Sequence, residues 1–241
     1  MSLRDIRIVL VEPQHPGNIG AVARAMKTMA LANLVLVKPR EFPSDEAHAR
    51  ASGAHDVLER AHVAGTLGEA VGDCAYVVGT TSRGRAFPLP LLSARECGET
   101  IVREASTGAP AAILFGPERT GLRNQDMDAC THQVRIPTNP EYASLNLGSA
   151  VQLLGYEVFL ASGEAPPVEQ PEVDYPSHSD LEYFYKHLED TLASRDFILP
   201  DMHEATYAKL RRLFGRARPS VGELKLLHSL VKLMDRRATS G

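Results

Sequence analysis

Apolar residues along this chain follow two regimes. Over the first 162 residues, short continuous apolar runs alternate with stretches of helical periodicity. Ile6–Val11, Leu34–Val37, Ala75–Val78 and Ala111–Phe115 read as buried strands, and Gln133–Ile136 as a shorter one. Ile19–Leu31 and Leu147–Leu160 repeat their apolar positions at helical spacing. Uninterrupted apolar strands alternating with helices predict an α/β fold, a mostly parallel sheet covered by helices on both faces. Residues 163–178 carry Pro166, Pro167, Pro171, Pro176 and four acidic side chains, the composition of a linker. Residues 179–241 are purely helical in pattern. Leu181, Phe184, Leu188 and Leu192 share one face behind a possible Ser179/Glu182 capping box; a helix is expected over His203–Phe214; and Leu224, Leu227, Val231 and Met234 follow a Ser220/Glu223 box.

Composition narrows the class. The 241 residues are 44% hydrophobic, enough for one sizeable core plus an appendage. No apolar run reaches the roughly 20 residues of a membrane helix. The opening MSLRDIRIVLVE reads as a strand, not a leader, because acidic residues flank its apolar run. Cys74, Cys97 and Cys130 are widely spaced, and neither CxxC nor HExxH occurs. Neither a disulfide framework nor a metal site is expected, and a reducing cytoplasm is the default compartment. Net charge is −4, yet residues 202–241 hold nine Lys/Arg against three Asp/Glu, and residues 1–201 hold 17 against 27. That asymmetry fits either a basic tail that meets a polyanion or a solvated helical face.

In open α/β sheets ligands bind beyond the carboxyl ends of the strands, so the loops there carry the chemistry. After the first strand comes His15-Pro16-Gly17-Asn18-Ile19-Gly20, with Asn18 suited to an N-cap. Gly20 and Arg24 stand four apart, with Lys27 and Thr28 continuing their face, and Gly20 would leave room for a ligand one turn below the guanidinium. The segment equally fits a capped helix bearing an exposed arginine. Gly79-Thr80-Thr81-Ser82-Arg83-Gly84 lets backbone groups approach a ligand, or is an ordinary turn. Gly116-Pro117-Glu118-Arg119-Thr120-Gly121 sets a charged pair between glycines, as a site or as a surface ion pair. Ahead of the last helix of this part, Ser144 and Asn146 fall where caps belong, and a helix N-terminus also draws anionic ligand groups.

Together these loops resemble the three motifs of the SPOUT methyltransferases: Asn18…Gly20…Arg24, then Gly116-Pro117-Glu118…Gly121-Leu122, then Ser144-Leu145-Asn146. VLVEPQHPGNIGAVARAMKTM, NPEYASLNLGSAVQLLGYEV and the tail block KLRRLFGRARP extend the likeness over nearly the whole chain, toward members that methylate the ribose of the pyrimidine at tRNA position 32. The resemblance implies a C-terminal trefoil knot, a homodimer with S-adenosyl-L-methionine as cofactor, tRNA as partner and no metal. It implies that Thr80, Thr81, Ser82, Gly116, Ile136, Ala143, Ser144 and Leu145 line the cofactor pocket. Arg24, Glu118, Ser144 and Asn146 form the implied catalytic neighbourhood, and Asn18, Arg24, Arg211, Arg212, Arg216 and Arg218 the RNA contacts. Methylation of ribosomal RNA, a non-catalytic RNA-binding module and a nucleotide-dependent α/β enzyme are the alternatives. The missing GxGxxG and P-loop weigh against the last.

Overall fold

A computed structural model describes residues 3–82, 89–166, 172–194 and 202–236. Arg83 and Gly84 of the second loop, Pro167 and Pro171 of the linker and the last five residues lie outside the described residues. The chain divides into two compact units, residues 1–166 and 167–241.

The first unit holds seven strands, β1 (Ile6–Val11), β2 (Asn33–Val37), β3 (His62–Ala64), β4 (Tyr76–Thr80), β5 (Leu91–Leu92), β6 (Ala111–Phe115) and β7 (His132–Val134). They form one sheet in the order β3-β2-β1-β6-β4-β7-β5, every registered pair parallel. Its helices are α1 (Pro16–Thr28), α2 (Asp45–Ala51), α3 (His55–Glu59), α4 (Leu67–Val71), α5 (Ala94–Ala105), α6 (Asn124–Met127) and α7 (Leu147–Ser162). Because successive side chains of a strand point to opposite faces, a strand covered on both sides must be apolar at every position. Ile6, Ile8 and Leu10 of β1, Leu34 and Leu36 of β2, and Ile113 and Phe115 of β6 enter the core under α1, α5 and α7. Their neighbours Val9, Val11, Val35, Val37 and Leu114 enter the opposite core with Ala70, Val71 and Met127.

The expected strands and long helices are present, with shifted ends. α1 starts at Pro16, whose missing N–H costs nothing at the first helical position, so Asn18 lies inside the helix and is not its N-cap. β7 stops at Val134, short of Ile136. Asn146 does cap α7, its Oδ1 accepting from the Gly148 N–H at 2.9 Å. Gly20 corrects the sequence reading. A Cβ there would stand 2.2 Å from the Ala47 carbonyl oxygen and 2.8 Å from Arg50 Cβ. The missing side chain lets α1 cross α2 closely; it makes no room for a ligand. Lys27 is also turned aside, its ammonium bonded to Asp56 at 2.7 Å and to the Gly53 carbonyl at 3.0 Å.

The second unit contains α8 (His178–Ala193), α9 (His203–Ala217) and α10 (Val221–Arg236), with a small core of Phe184, Tyr185, Leu224 and Val231. The capping box of α8 is Ser177 with Asp180, not Ser179 with Glu182, whereas Ser220 and Glu223 exchange the expected bonds. Met234 stands outside the core. Among the described residues no helix is long and apolar enough to cross a membrane.

Gly20→Ala tests the helix crossing. Alanine is the better helix former by about 1 kcal/mol, but overpacking against backbone costs about 1–3 kcal/mol. A net loss of stability is expected in the urea midpoint; a more stable variant would contradict the close approach.

Candidate active site

The carboxyl ends of β4, β6 and β7 lie side by side, and the loops leaving them enclose a cleft of about 400 Å³. Thr80, Thr81 and Ser82 leave β4, Gly116 to Leu122 leave β6, and Ile136, Thr138, Ala143, Ser144 and Leu145 follow β7. All eight residues expected at the cofactor pocket line this one cleft.

Each wall is held by its own bonds. The Thr81 N–H donates to the Val134 carbonyl at 3.0 Å, and the Thr80 hydroxyl to the Leu114 carbonyl at 2.9 Å. In the β6 loop the Gly121 N–H reaches the Pro117 carbonyl at 2.8 Å. The loop doubles back so tightly that a Cβ on Gly116 would fall 2.1 Å from the Leu122 nitrogen. The floor is apolar, with Phe115, Leu122 and Val134 buried. An apolar floor, hydroxyls on one wall and a backbone-lined loop suit a nucleoside-sized ligand read largely by main-chain groups.

Glu118 stands where this cleft meets α1. One carboxylate oxygen accepts from Asn18 Nδ2 at 2.9 Å and from the His15 N–H at 3.2 Å, the other from the Gln14 N–H at 3.0 Å. It does not pair with Arg119, so the neighbouring ion pair considered from sequence does not form. Partial burial pushes the Glu118 carboxyl up, but the bonds from Asn18, Gln14, its own backbone and His15 together outweigh burial and hold it below its ordinary 4.5. The position at the N-terminus of α1 adds a favourable dipole. Asn18 passes the connection on, its Oδ1 accepting from Asn146 Nδ2 at 3.3 Å. Loop, first helix and α7 cap are therefore one hydrogen-bonded chain.

Arg24 is not on the wall of the cleft. It is exposed in an adjoining depression between α1 and α7, with Thr28, Asn146, Ser149 and Gln152. Asn146 is the link, because it borders that depression and joins the Asn18–Glu118 chain. Arg119, Thr120 and Thr138 also line the cleft, in segments the sequence offered as candidates without assigning these side chains a role, whereas Ser149 and Gln152 beside Arg24 were not singled out. Ser149 was signalled, since it lies three residues beyond Asn146 and so on the same helix face. Among the described residues no cluster of three His, Cys, Asp or Glu side chains could hold a metal.

In the second unit the tail arginines differ. Arg211 makes two 2.7 Å bonds to the Glu182 carboxylate and lies 4.7 Å over the Tyr185 ring. Arg218 covers Tyr175 at 4.1 Å. Arg212 and Arg216 are exposed, with no ion pair among the described residues.

Residues 5–156 match the model of the SpoU rRNA Methylase family, and residues 179–241 that of the tRNA methyltransferase TrmJ C-terminal domain. The chain is 49% identical to the tRNA (cytidine/uridine-2'-O-)-methyltransferase TrmJ of Klebsiella pneumoniae, over 98% of both proteins. It is 51% identical to that of Cronobacter sakazakii over 97% of both. Among solved structures, TrmJ from Z. mobilis ZM4 is similar at 35% identity and a TM-score of 0.80, covering 95% of this chain and 98% of that one. AviRb of Streptomyces viridochromogenes, solved with AdoMet, shares the fold at 22% identity and a TM-score of 0.54, over 67% of this chain and 62% of its own.

Glu118→Gln should keep the shape and lose the charge, destabilising the protein at neutral pH by about 1–3 kcal/mol. Because the folded carboxyl titrates below 4.5, its stabilisation is present above that value and is lost as pH falls through the lower folded value. The stability gap between wild type and E118Q, from urea unfolding at several pH values, should therefore close in acid. A gap that widens there would overturn the assignment.

Proposed function

Because the chain belongs to the SpoU rRNA methylase family, we propose that it transfers a methyl group from S-adenosyl-L-methionine to a ribose 2′-hydroxyl of tRNA, at the pyrimidine of position 32. The observation that carries the tRNA reading is the likeness over both units, since the second unit matches a C-terminal domain defined in tRNA methyltransferases. The family's description favours ribosomal RNA instead, but it covers residues 5–156 alone. No disulfide joins Cys74, Cys97 and Cys130, which fits work in the cytoplasm.

The cleft fits the cofactor on two counts: its size and apolar floor, and the Gly116 position where a side chain would block the loop. Thr80, Thr81, Ser82, Gly116, Ile136, Ala143, Ser144 and Leu145 would hold it. When bound, it supplies an electrophilic methyl on a sulfonium, so the protein's own task is the nucleophile. A ribose hydroxyl is a weak acid, and an arginine is permanently protonated and cannot serve as its base. Arg24 instead holds the adjoining phosphate and stabilises negative charge building on the oxygen. Ser144, on the cleft, and Asn146, in the depression beside Arg24, orient the hydroxyl. Both Glu118 oxygens are already taken by N–H donors, so Glu118 is a positioning residue that sets α1, and with it Arg24 and Asn18, against the cleft.

A homodimer completes this reading. Leu153, Tyr156 and Leu160 are large apolar side chains exposed on one face of α7, and Leu153 also borders the Arg24 depression. A second copy covering that stripe would shield the guanidinium from water. The trefoil knot of the family would lie in the C-terminal part of this unit; β7 entering the sheet between the earlier strands β4 and β5 is in keeping with such threading.

Methyl transfer from labelled cofactor to tRNA, followed by mapping of the modified ribose, tests the activity. Arg24→Ala should lower kcat about 10²–10³-fold while leaving the cofactor Kd nearly unchanged. Arg24→Lys should remain impaired, because an ammonium cannot reproduce the planar fork. Parallel loss of turnover and cofactor affinity in a folded variant would refute the role.

The tail predicts a second split. Replacing Arg212 and Arg216 with alanine should weaken tRNA binding and make the slope of log K against log salt shallower by roughly 0.7–0.9 for each phosphate left without its arginine. Arg211→Ala should instead lower the stability of the helical unit, since Arg211 is tied to Glu182. An unchanged salt slope in the double variant would remove the tail from the RNA interface.

A further inference from the structure

Among the large apolar side chains described, Tyr142 is the most exposed, at 79%. A tyrosine offers one of the largest surfaces a side chain can bury, and leaving the ring in water forgoes that gain. Its backbone is nevertheless well fixed. The Tyr142 N–H donates to the Asn139 carbonyl at 2.9 Å, and Asn139 Oδ1 accepts from the Glu141 N–H at 3.0 Å. On the other side the Ala143 carbonyl accepts from the Thr138 hydroxyl at 3.3 Å. The next three residues, Ala143, Ser144 and Leu145, line the cleft. The ring is thus anchored at the lip of the site and projects into solvent, and no ring or guanidinium lies against it among the described residues. Tyr183, the next most exposed tyrosine at 68%, differs in lying against the His228 ring.

We propose that Tyr142 is the stacking platform for the base of the nucleotide being methylated. The proposal rests on the function above and adds how the base is held while its ribose enters the site. Unpaired bases in RNA loops are recognised by splaying them onto aromatic faces. Such stacking tolerates any base, because every base has a π-face. Cytidine and uridine differ at their hydrogen-bonding edge and not in that face. A platform of this kind accepts both, which matches the pair of nucleosides in the names of the relatives. A platform read through edge contacts would choose between them.

The test uses the full chain with Tyr142→Ala, Tyr142→Phe and Tyr142→Leu. Two readouts are taken: methyl transfer to tRNA, and binding of an anticodon stem-loop RNA with fluorescent pyrrolocytosine at the target position. Alanine should lower kcat/KM for tRNA about 5- to 150-fold, the equivalent of about 1–3 kcal/mol of stacking. It should also abolish the quenching of the probe, with cofactor Kd and sedimentation unchanged. Phenylalanine should restore both readouts, and leucine neither. Phenylalanine as poor as alanine would make the hydroxyl the working group, and rescue by leucine would make it simple apolar burial; either overturns the proposal. So does an alanine variant whose association state shifts, which would assign the ring to a second copy of the chain, or one that behaves as wild type. Quenching by a wild type that transfers no methyl would sink the enzymatic function and leave the platform standing.

Discussion

The grip of Glu118 on the entry to α1 is the constraint from which the arrangement of the site follows. A carboxylate on the β6 loop accepts N–H groups from Gln14, His15 and Asn18, about a hundred residues earlier in the chain. β1 and β6 are neighbours in the sheet, so their following loops must meet, and without a bridging anion they would present donors with no acceptor. Asn18 uses its amide nitrogen on Glu118 and its oxygen on Asn146, and Asn146 in turn caps α7. Three elements that share no local sequence pattern are thereby set at fixed distances. On the proposed function, that chain decides where Arg24 stands relative to a ribose bound at the mouth of the cleft.

The same chain explains which parts of the site could be read from sequence. The eight cleft residues follow strands whose apolar runs are unmistakable, so their placement follows once β4, β6 and β7 are paired in order. Ala111–Phe115 coincides with an observed strand because both of its faces are buried and every position is apolar, and Ile6–Val11 does so with the single exception of Arg7, whose half-buried guanidinium pairs with Asp73. Asn18, Gly20 and Glu118 resisted, because what each does is set by a partner far along the chain: Glu118 for Asn18, Ala47 for Gly20, the Gln14 and His15 backbone for Glu118. The stretch from residue 38 to 75 is hard to read for another reason. Its helices α2, α3 and α4 have only five to seven residues, too short for a helical period to show, and β3 has three.

The change of charge along the chain falls inside the second unit, not between the two units. The first 201 residues are net acidic and the remainder net basic, a division that suits a body built for a small ligand and a tail built for a polyanion. The basic residues of the tail are not equivalent. Arg211 is held by Glu182 and Tyr185, and Arg218 rests on Tyr175, so both contribute to the packing of a unit whose core contains only a few large side chains. An arginine already bonded to a carboxylate has given up much of what it could offer a phosphate. On the proposed function, counting basic residues therefore overstates the surface the tail offers RNA, and the exposed Arg212 and Arg216 are its better candidates.

On the proposed function, the separation of Arg24 from the cleft bears on catalysis. A guanidinium in open solvent is screened, and its effect on a nearby hydroxyl falls accordingly. The depression that holds it is bordered by Leu153, part of the exposed apolar stripe Leu153, Tyr156 and Leu160 of α7. Covering the stripe would bury apolar area and at the same time lower the dielectric around Arg24, so one association event would serve both stability and chemistry. On this argument assembly and activity are linked. On the proposed homodimer, a charge placed at Leu153 that splits the copies apart should abolish turnover even though every cleft residue remains in position.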